Sequence, residues 1–515
     1  MKVALTVNDF LRRSELVYPD RIAVVDEPDQ PAESWGEITY REMAERARAM
    51  AAGLDELGIA VGERVAMVSQ NSARLLTALF GVSGSGRVLV PINFRLVAEE
   101  VKYIVAHSGA RILLVDPELA DALADVECEH KMVIGADSDA VLMKFGVEPA
   151  PWEADEDATA TINYTSGTTA RPKGVQLTHR NLWLNATVFG WHMGVNDRDV
   201  YLHTLPQFHC NGWGMLYAVT GMGGRHVILR KVDGTEILRR VEQHGVTLMC
   251  GAPAVLNMVL DAASTWAAET GRPVPGRDRV RIVVAGAPPP TQTIERTETE
   301  LGWEFVQIYG LTETTPVITM NRSREEFDDL SPADRAVKLN RAGAPVVGCT
   351  MAVSHDGEIL ARGNMIMDGY WEQPDQTTAA IRDGFFHTGD GGSIDDDNYV
   401  TISDRKKDVI ISGGENVSSI EVEDAIFQHP DVTEVAVIGI PDEKWGELVT
   451  ALVVTAPGSE LTEADVIAWT KTKLAGYKCP KKVEFREELA RTATGKLQKF
   501  KLREPFWEGA GRQVN

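Results

Sequence analysis

A regular alternation of strand and helix patterns in the first third of the chain constrains the fold more than any other feature. Four apolar runs rich in β-branched residues have the character of buried strands: IAVVDE (22–27), RVAMVS (64–69), VLVPIN (88–93) and ILLVD (112–116). From Tyr40 to Leu57, apolar residues recur at spacings of three and four, which predicts a helix that Gly58 caps. A second βα series extends from about Tyr201 to Ile308. Repeated βα units predict parallel sheets covered by helices.

The chain has 515 residues, more than one hydrophobic core usually organises, and its pattern changes near Asp404. Beyond Asp404 we expect a short α+β unit. Its predicted elements are helices at 419–428 and 462–474 and strands at 434–440, 448–454 and 481–485. This predicts an N-terminal domain over 1–403 and a C-terminal domain over 404–515. The segments 136–157 and 321–341, which are rich in charge or proline, are predicted as surface loops.

The net charge of −23 narrows the classes of partner. Binding to nucleic acid or anionic membranes needs basic surface, so neither is expected, although a local positive site for a small anion is compatible with this charge. The N-terminal sixteen residues are typical of an amphipathic helix rather than a signal peptide, and no apolar run could span a bilayer. Five cysteines without paired spacing indicate a reducing compartment. We expect a cytoplasmic protein without integral membrane contact, and a homo-oligomer is compatible with the sequence.

The segment YTSGTTARPKGV (164–175) is the best candidate for a ligand site. Its serine and threonines can donate hydroxyl hydrogen bonds, and its glycine lets backbone N–H groups approach an anion. The lysine adds a positive charge. This set of donors suits a polyphosphate, although the segment is not a P-loop of the GxxxxGK[ST] type. By residue type alone, a solvated turn is an equal alternative.

This segment resembles the signature loop of the adenylate-forming superfamily, which holds acyl-CoA synthetases, adenylation domains of peptide synthetases and beetle luciferases. Four further segments resemble the same superfamily in the expected order: YGLTE (309–313), HTGD (387–390), DRKKDVIISGGENVSSIEVE (404–423) and TGKLQK (494–499). The resemblance implies an α/β fold with a β-barrel. In that fold, a large N-terminal domain of two α/β lobes plus the barrel is followed by a small, mobile α+β C-terminal domain.

The resemblance also implies a site for ATP and Mg²⁺. The residues that would hold the departing pyrophosphate are Thr165, Ser166, Gly167, Thr168, Thr169 and Lys173. Tyr309 would pack on one face of the adenine and Ala287 on the other, and Gly286, Pro288 and Gly310 are also predicted to bind the nucleotide. Thr312 would contact the α-phosphate, and Glu313 would bind Mg²⁺, a hard cation that prefers oxygen ligands. Asp390 would accept hydrogen bonds from the ribose hydroxyls, with Arg405 reinforcing it.

Two half-reactions are implied, with different residues at the reacting atoms. Lys496 would stabilise the charge that develops at the α-phosphate when the carboxylate attacks. For the transfer to CoA, the C-terminal domain would rotate about a hinge at Asp404 and withdraw Lys496. This rotation would present Gly413 and Gly414 beside the pantetheine tunnel, whose wall they suit because they carry no side chain.

The acid substrate is predicted from two segments of the implied pocket. Ile308 stands where many enzymes for long or aromatic acids have glycine, so its branched side chain should narrow the pocket. In LPQFHCNGWG (205–214), His209 corresponds to a catalytic histidine near the carboxylate, with Asn211 and Trp213 lining the pocket beside it. These segments resemble a branch of short- and medium-chain acyl-CoA ligases, which predicts a small aliphatic acid.

Three functions compete. The first is a ligase that forms acyl-AMP and then acyl-CoA. The second is an adenylating enzyme that loads a separate carrier protein, and the third is a luciferase-like oxygenase whose motifs overlap with those of the ligases. A non-enzymatic scaffold is disfavoured, because it leaves the joint presence of the phosphate loop, Glu313, Asp390 and Lys496 without a purpose.

Overall fold

The computed structural model describes residues 1–165, 171–405, 408–412, 415–442, 445–492 and 497–507, without the side chains of residues 404, 405 and 416. Its strands are β1 Ile22–Val25, β2 Glu37–Thr39, β3 Arg64–Val68, β4 Val88–Ile92, β5 Ala110–Val115, β6 His130–Val133, β7 Thr159–Thr165, β8 Lys173–Thr178, β9 Val200–Leu202, β10 Arg225–Val227, β11 Leu248–Gly251, β12 Arg281–Val284, β13 Glu304–Gly310, β14 Val317–Asn321, β15 Ala344–Pro345, β16 Cys349–Val353, β17 Glu358–Gly363, β18 Gly369–Tyr370, β19 Ile381–Arg382, β20 Phe385–Ile394, β21 Val400–Arg405, β22 Ile410–Ser412, β23 Glu415–Val417, β24 Val432–Asp442, β25 Gly446–Thr455 and β26 Lys482–Phe485.

Its α-helices are α1 Asn8–Val17, α2 Tyr40–Glu56, α3 Ala73–Gly81, α4 Ala98–Ser108, α5 Ala136–Leu142, α6 His179–Met193, α7 Met215–Met222, α8 Gly234–His244, α9 Pro253–Thr270, α10 Thr291–Arg296, α11 Pro332–Leu339, α12 Pro374–Ala380, α13 Ser419–Phe427, α14 Glu463–Lys471 and α15 Lys499–Trp507. In the part of the chain described, no helix is long and apolar enough to cross a membrane.

Two large sheets form the two α/β lobes. One has the strand order β18-β8-β7-β4-β3-β5-β6, and the other has the order β15-β14-β13-β12-β11-β9-β10-β1-β2. The interior pairs β3–β4, β3–β5, β11–β12 and β12–β13 are parallel, as the βα alternation predicts. The first strand of the chain, β1, pairs with β2 but not with β3 or β4 of the first lobe. Val24 in β1 pairs in parallel with His226 in β10, so the N-terminal segment completes the second sheet.

Helix α2 shows how local sequence sets these elements. The Thr39 side chain accepts a hydrogen bond from the Glu42 N–H, while the Glu42 carboxylate accepts one from the Thr39 N–H, so two of the free N–H donors at the start of the helix are satisfied. Met43, Met50 and Leu54 are buried on its inner face. The helix therefore follows from its cap and its apolar spacing, both of which are local in sequence.

Two segments predicted as loops contain helices, so this prediction was wrong. In 136–157, α5 packs on α2, where a Cβ at Gly53 would lie 2.2 Å from the Leu142 carbonyl oxygen. In 321–341, α11 begins at Pro332, and the Ser331 hydroxyl accepts a hydrogen bond from the Asp334 N–H. Serine before proline is a helix-start signal, and the high charge of the segment concealed it.

Two smaller sheets complete the chain. The antiparallel sheet β16-β17-β20-β19, with β21 paired to β20, stands where the β-barrel was expected, and the predicted α/β fold is confirmed. The last sheet has the order β23-β22-β25-β24, with β26 on β25. Helices α13 and α14 contribute Val422, Ile426 and Val466 to its apolar core. The domain boundary at residue 404 stays a prediction.

A chain of hydrogen bonds links two buried histidines in the second lobe. The Ser72 N–H donates to Gln207 Oε1, so the Gln207 amide nitrogen donates to His203 Nδ1 at 3.2 Å. His203 Nε2 then donates to His226 Nδ1 at 3.0 Å, and His226 Nε2 donates to Thr220 Oγ1 at 3.0 Å. Each imidazole uses one nitrogen as donor and one as acceptor, so both histidines are neutral in the fold.

The free energy of unfolding should fall in mild acid because His179, His203 and His226 are buried. Burial lowers the pKa of His226 to about 3, that of His179 to about 4, and that of His203 well below its usual value. Unfolded histidines titrate near 6.5, so below that pH the unfolded chain binds more protons, and each site contributes a slope of about 1.4 kcal/mol per pH unit. Urea unfolding should show constant histidine-dependent stability above pH 7 and a decline from pH 6.5 to 4.5.

The control separates these histidines from the titration of carboxyl groups. His226→Gln removes one proton-uptake site from the unfolded chain, so the slope between pH 6.5 and 4.5 should decrease by about 1.4 kcal/mol per unit. Replacement of the exposed His355 by glutamine should leave the slope unchanged. Equal slopes in the wild-type protein and His226→Gln would contradict the assignment.

Candidate active site

The segment 164–175 includes the end of one strand and the start of the next, and these two strands pair antiparallel in the first lobe. Strand β7 ends at Thr165 and β8 begins at Lys173, and these two residues are cross-strand partners. Thr165 and Lys173, two of the six predicted phosphate ligands, are half-buried. Ser166, Gly167, Thr168 and Thr169 lie outside the described residues. This strand pairing therefore brings the first and last residues of the predicted phosphate loop side by side.

Tyr370 connects this strand pair to Glu313. Its hydroxyl donates a hydrogen bond to Glu313 Oε1 at 2.9 Å, and the Lys173 Nζ lies 4.8 Å from the centre of its ring. Burial, followed by the Glu313 carboxylate, raises the pKa of the Tyr370 phenol above its ordinary value, so it is a donor at neutral pH. Sequence reasoning missed Tyr370, because nothing in the residue types of 368–371 indicates a contact with Glu313.

Tyr309 and Asp390, predicted for adenine and ribose, are in contact. Strand β13 carries Tyr309 near its end, and the Tyr309 hydroxyl donates to Asp390 Oδ2 at 2.7 Å. Asp390 is buried in β20 and pairs across the strands with Arg405, whose side chain is not described. Two residues eighty-one positions apart thus meet at one site, as the nucleotide prediction requires.

The GAPPP segment follows β12, beside Tyr309. Val284, the last residue of β12, pairs in parallel with Gln307, so Gly286, Ala287 and Pro288 leave the sheet at the edge where β13 also ends. Gly286 has φ +96°, a conformation that favours glycine. Gly310 has a packing reason instead, since a Cβ there would lie 1.5 Å from the Pro316 carbonyl oxygen.

The segment Cys210–Gly214 is a left-handed turn, with φ between +45° and +80° at all five residues. Such a conformation is costly at Trp213 and needs support from its surroundings. Asn211 Nδ2 donates to Thr161 Oγ1 at 2.9 Å, and the Trp213 carbonyl oxygen accepts from Asn185 Nδ2 at 3.0 Å. Asn211, which was predicted to line the acid pocket, anchors this turn through its buried amide.

The predicted acid-pocket residues include the buried side chains of Trp213 and Ile308, and the segment that carries Trp213 contacts Thr312, the neighbour of Glu313. Trp213 and Ile308 are 4% and 3% exposed and belong to one apolar cluster. Cys210 Sγ lies 4.0 Å from the carbonyl oxygen of Thr312, which opens the short turn that carries Glu313. His209 directly precedes the left-handed turn at 210–214 and is half-buried. The centre of its ring lies 6.4 Å from that of Phe208.

Three predicted residues of the C-terminal unit cannot be compared. Lys496, Gly413 and Gly414 lie outside the described residues, as does the Asp404 side chain. Arg491 and Leu497, which flank the segment with Lys496, form an antiparallel bridge. The C-terminal unit contacts the start of α10, which follows the GAPPP segment, because Asp424 Oδ1 accepts a hydrogen bond from the Thr291 N–H at 3.0 Å.

Comparison with protein families identifies the family of the chain. The family model described as AMP-binding enzyme matches residues 11–371, and that of the AMP-binding enzyme C-terminal domain matches residues 421–496. The chain belongs to the AMP-binding enzyme family. The resemblance to the adenylate-forming superfamily and the prediction of an ATP-dependent, AMP-forming acyl-CoA synthetase are thereby confirmed, with support from the relatives below.

Two curated relatives match this AMP-binding enzyme over almost its whole length. 2-Methylpropanoate–CoA ligase CCL4 of Humulus lupulus is 36% identical over 546 residues, covering 97% of this chain and 95% of its own. 4-Hydroxybutyrate–CoA ligase 2 of Metallosphaera sedula is 36% identical over 526 residues, covering 96% and 93%.

Solved structures closely resemble the structure of this chain. The anthranilate CoA ligase AuaEII in complex with anthranoyl-AMP has a TM-score of 0.87 at 25% identity and covers 99% of both chains. ATP-bound MatB from Rhodopseudomonas palustris has a TM-score of 0.84 at 30% identity, covering 99% of this chain and 100% of its own. The similarity extends over both matched family regions.

Proposed function

We propose that this acyl-CoA synthetase activates a small aliphatic carboxylic acid, of about four carbons, with ATP and Mg²⁺ and transfers the acyl group to CoA. The observation that carries the substrate class is the burial of the branched Ile308 side chain, which is 3% exposed in one apolar cluster with Trp213. Two relatives are named for 2-methylpropanoate and 4-hydroxybutyrate, both four-carbon acids, which supports this size.

In the first half-reaction, a carboxylate oxygen of the acid would bond to the α-phosphorus of ATP as the bond to pyrophosphate breaks. Tyr309 and Asp390 would hold the nucleoside, and their 2.7 Å hydrogen bond supports a shared role. Thr165 and Lys173 would retain the phosphates from the end of β7 and the start of β8. Thr312 and Lys496 would contact the α-phosphate, where donors placed against developing charge lower the barrier.

Glu313 fits a single-carboxylate Mg²⁺ site. Among the described residues, its Oε2 has no hydrogen-bond partner, while Oε1 accepts from Tyr370. No group of three or more His, Cys, Asp or Glu residues in that part of the chain could hold a metal. Mg²⁺ is commonly held by one or two carboxylates together with substrate phosphates, and it would neutralise phosphate charge.

In the second half-reaction, the CoA sulfur would attack the acyl carbonyl of acyl-AMP, and AMP would leave with the bonding electrons. We assign domains 1–403 and 404–515 and a hinge at Asp404. The pairing of β21 with β20 ends at Arg405, and the next strand, β22, belongs to the last sheet, which supports a boundary there. Gly413 and Gly414 would then line the pantetheine tunnel beside His209.

A panel of acids tests the proposal. Straight, branched and hydroxylated acids of two to eight carbons, with benzoate and anthranilate, are assayed with ATP, Mg²⁺ and CoA by AMP release and thioester formation. The highest kcat/KM is expected for four-carbon acids. Acid-dependent pyrophosphate exchange into ATP without thioester formation from CoA would instead favour a carrier protein as acceptor, and oxygen-dependent light with a luciferin would favour the oxygenase alternative. A preference for aromatic acids would overturn the substrate class.

Replacing Ile308 should lengthen the acids that the enzyme accepts. Ile308→Gly opens space for one or more methylene groups, each worth roughly tenfold in specificity, so kcat/KM for hexanoate relative to butyrate should rise at least about tenfold. Ile308→Ala, which is less disruptive to a buried strand, should give an intermediate shift. The matched control is Val306→Ala on the same strand. An unchanged chain-length profile in both Ile308 variants would contradict the pocket assignment.

A further inference from the structure

Tyr370 is a buried side chain that contacts residues from both ends of the proposed phosphate site. Its hydroxyl is bonded to Glu313, the proposed Mg²⁺ ligand, and its ring lies under the Lys173 ammonium, the proposed phosphate ligand. Glu313 and Lys173 are one hundred and forty residues apart in the chain. A side chain that contacts both can set the distance between metal and phosphate ligands.

The backbone of Tyr370 is held independently of these two contacts. Strand β18 pairs with β8, where Tyr370 is opposite Val175, and the Trp371 N–H donates to the Gly174 carbonyl oxygen at 2.7 Å. On its other side, the Tyr370 N–H donates to Thr377 Oγ1 at 2.9 Å. The side chain therefore projects from a fixed edge strand, two residues along β8 from Lys173, and serves as a rigid support.

The two contacts have different chemistry. The Tyr370 hydroxyl ties Oε1 of Glu313, and the Met367 N–H donates to the Glu313 carbonyl oxygen at 2.8 Å, so both the side chain and the backbone of Glu313 are fixed. The ring attracts the Lys173 ammonium through its π face, while Gln376 Oε1 accepts from Lys173 Nζ at 2.6 Å. The contact of the Tyr370 hydroxyl and the contact of its ring can therefore be tested by different substitutions.

We propose that Tyr370 is a positioning residue for adenylation, whose hydroxyl orients the Glu313 carboxylate toward Mg²⁺ and whose ring holds Lys173 against the phosphates. The inference rests on the proposed function, because it needs Glu313 and Lys173 to bind Mg²⁺ and phosphate. Tyr370 does not contact the reacting atoms in this assignment and acts through these two residues.

Tyr370→Phe tests the hydroxyl while keeping the ring. The dissociation constant of α,β-methylene-ATP is measured by calorimetry at a series of free Mg²⁺ concentrations. A hydrogen bond to a charged group is lost, so the Mg²⁺ concentration for half-maximal affinity should rise about tenfold. At saturating Mg²⁺ the affinity of wild type and variant should converge. In steady-state assays the same variant should need more Mg²⁺, with kcat recovered when Mg²⁺ saturates.

Tyr370→Leu removes the ring as well and tests the second contact. The affinity for inorganic pyrophosphate in EDTA, without metal, should weaken about fivefold in Tyr370→Leu and remain unchanged in Tyr370→Phe. The matched control is Tyr40→Phe, which removes a buried hydroxyl bonded to the Gly224 carbonyl oxygen, away from the site. This control should leave both the Mg²⁺ dependence and pyrophosphate binding unchanged.

The outcomes separate the inference from the function on which it rests. A nucleotide affinity of the wild-type enzyme that does not depend on the Mg²⁺ concentration would overturn the assignment of Glu313 itself. A normal wild-type response with no shift in Tyr370→Phe would overturn only the role of Tyr370. Equal shifts in Tyr370→Phe and Tyr40→Phe would show a general loss of stability, and would also overturn it.

Discussion

Replacement of Lys496 by alanine is expected to slow acyl-adenylate formation by about 10²–10³-fold, the usual effect of removing one group that stabilises transition-state charge. The conversion of supplied acyl-AMP and CoA to thioester should remain near the wild-type rate, because the proposed rotation withdraws Lys496 before that step. The first rate is measured by acid-dependent exchange of radiolabelled pyrophosphate into ATP, and the second by thioester formation from synthetic butyryl-AMP.

Two variants serve as controls for this separation. Lys501→Ala removes an exposed lysine of α15 and should leave both half-reactions unchanged. Gly414→Leu should give the reverse pattern of Lys496→Ala, with pyrophosphate exchange retained and thioester formation lost, since a side chain would enter the tunnel. A parallel loss of both half-reactions in Lys496→Ala would contradict the assignment of Lys496 to adenylation alone.

Arg230→Met should destabilise the fold by about 3–5 kcal/mol, the range for breaking a buried ion pair by removing one partner. Arg230 follows β10 of the second lobe, and its two terminal nitrogens donate to the two carboxylate oxygens of Asp116 at 3.1 Å each. The Asp116 side chain is 1% exposed, and Asp116 directly follows β5 of the first lobe. Without Arg230, the buried Asp116 carboxylate would lose its charged partner and keep neutral donors, the Ser69 hydroxyl and the Gln70 and Glu118 N–H groups. Equilibrium unfolding in urea measures the loss.

The double variant distinguishes a buried charge from lost packing. Arg230→Met combined with Asp116→Leu removes both charges, so it should recover much of the stability lost by Arg230→Met alone. Arg41 and Asp20 form an exposed pair, and Arg41→Met should cause no measurable change. Additive losses in the double variant would contradict the ion-pair explanation and indicate packing instead.

Much of the local structure could be predicted from the sequence, because its signals are local. The helix over Tyr40–Leu57 follows from apolar spacing and a cap, and the structure has it as α2 Tyr40–Glu56. The strand run 22–27 corresponds to β1, and the second βα series to β9 through β13. The motifs with Tyr309 and Asp390 are likewise continuous in sequence, and the structure brings these two residues into contact.

The residues missed by the sequence prediction all act through contacts with distant segments. Asn185 supports the left-handed turn at Trp213, twenty-eight residues away, and Tyr370 contacts Glu313, fifty-seven residues away. An asparagine on a helix and a tyrosine on a two-residue strand are ordinary by type and position. No periodicity or spacing distinguishes them, because their roles depend on which strands pair.

The sequence by itself determined the family, the α/β class, the acid-activating chemistry and the residues proposed for the nucleotide, since these are written in short continuous motifs and in apolar periodicity. Only the tertiary structure decided that β1 completes the second sheet, that Arg230 and Asp116 join the lobes, and that Tyr370 spans Lys173 and Glu313. Strand order and burial set these contacts, and the cost of leaving a charge or a donor unpaired in the interior selects the partners.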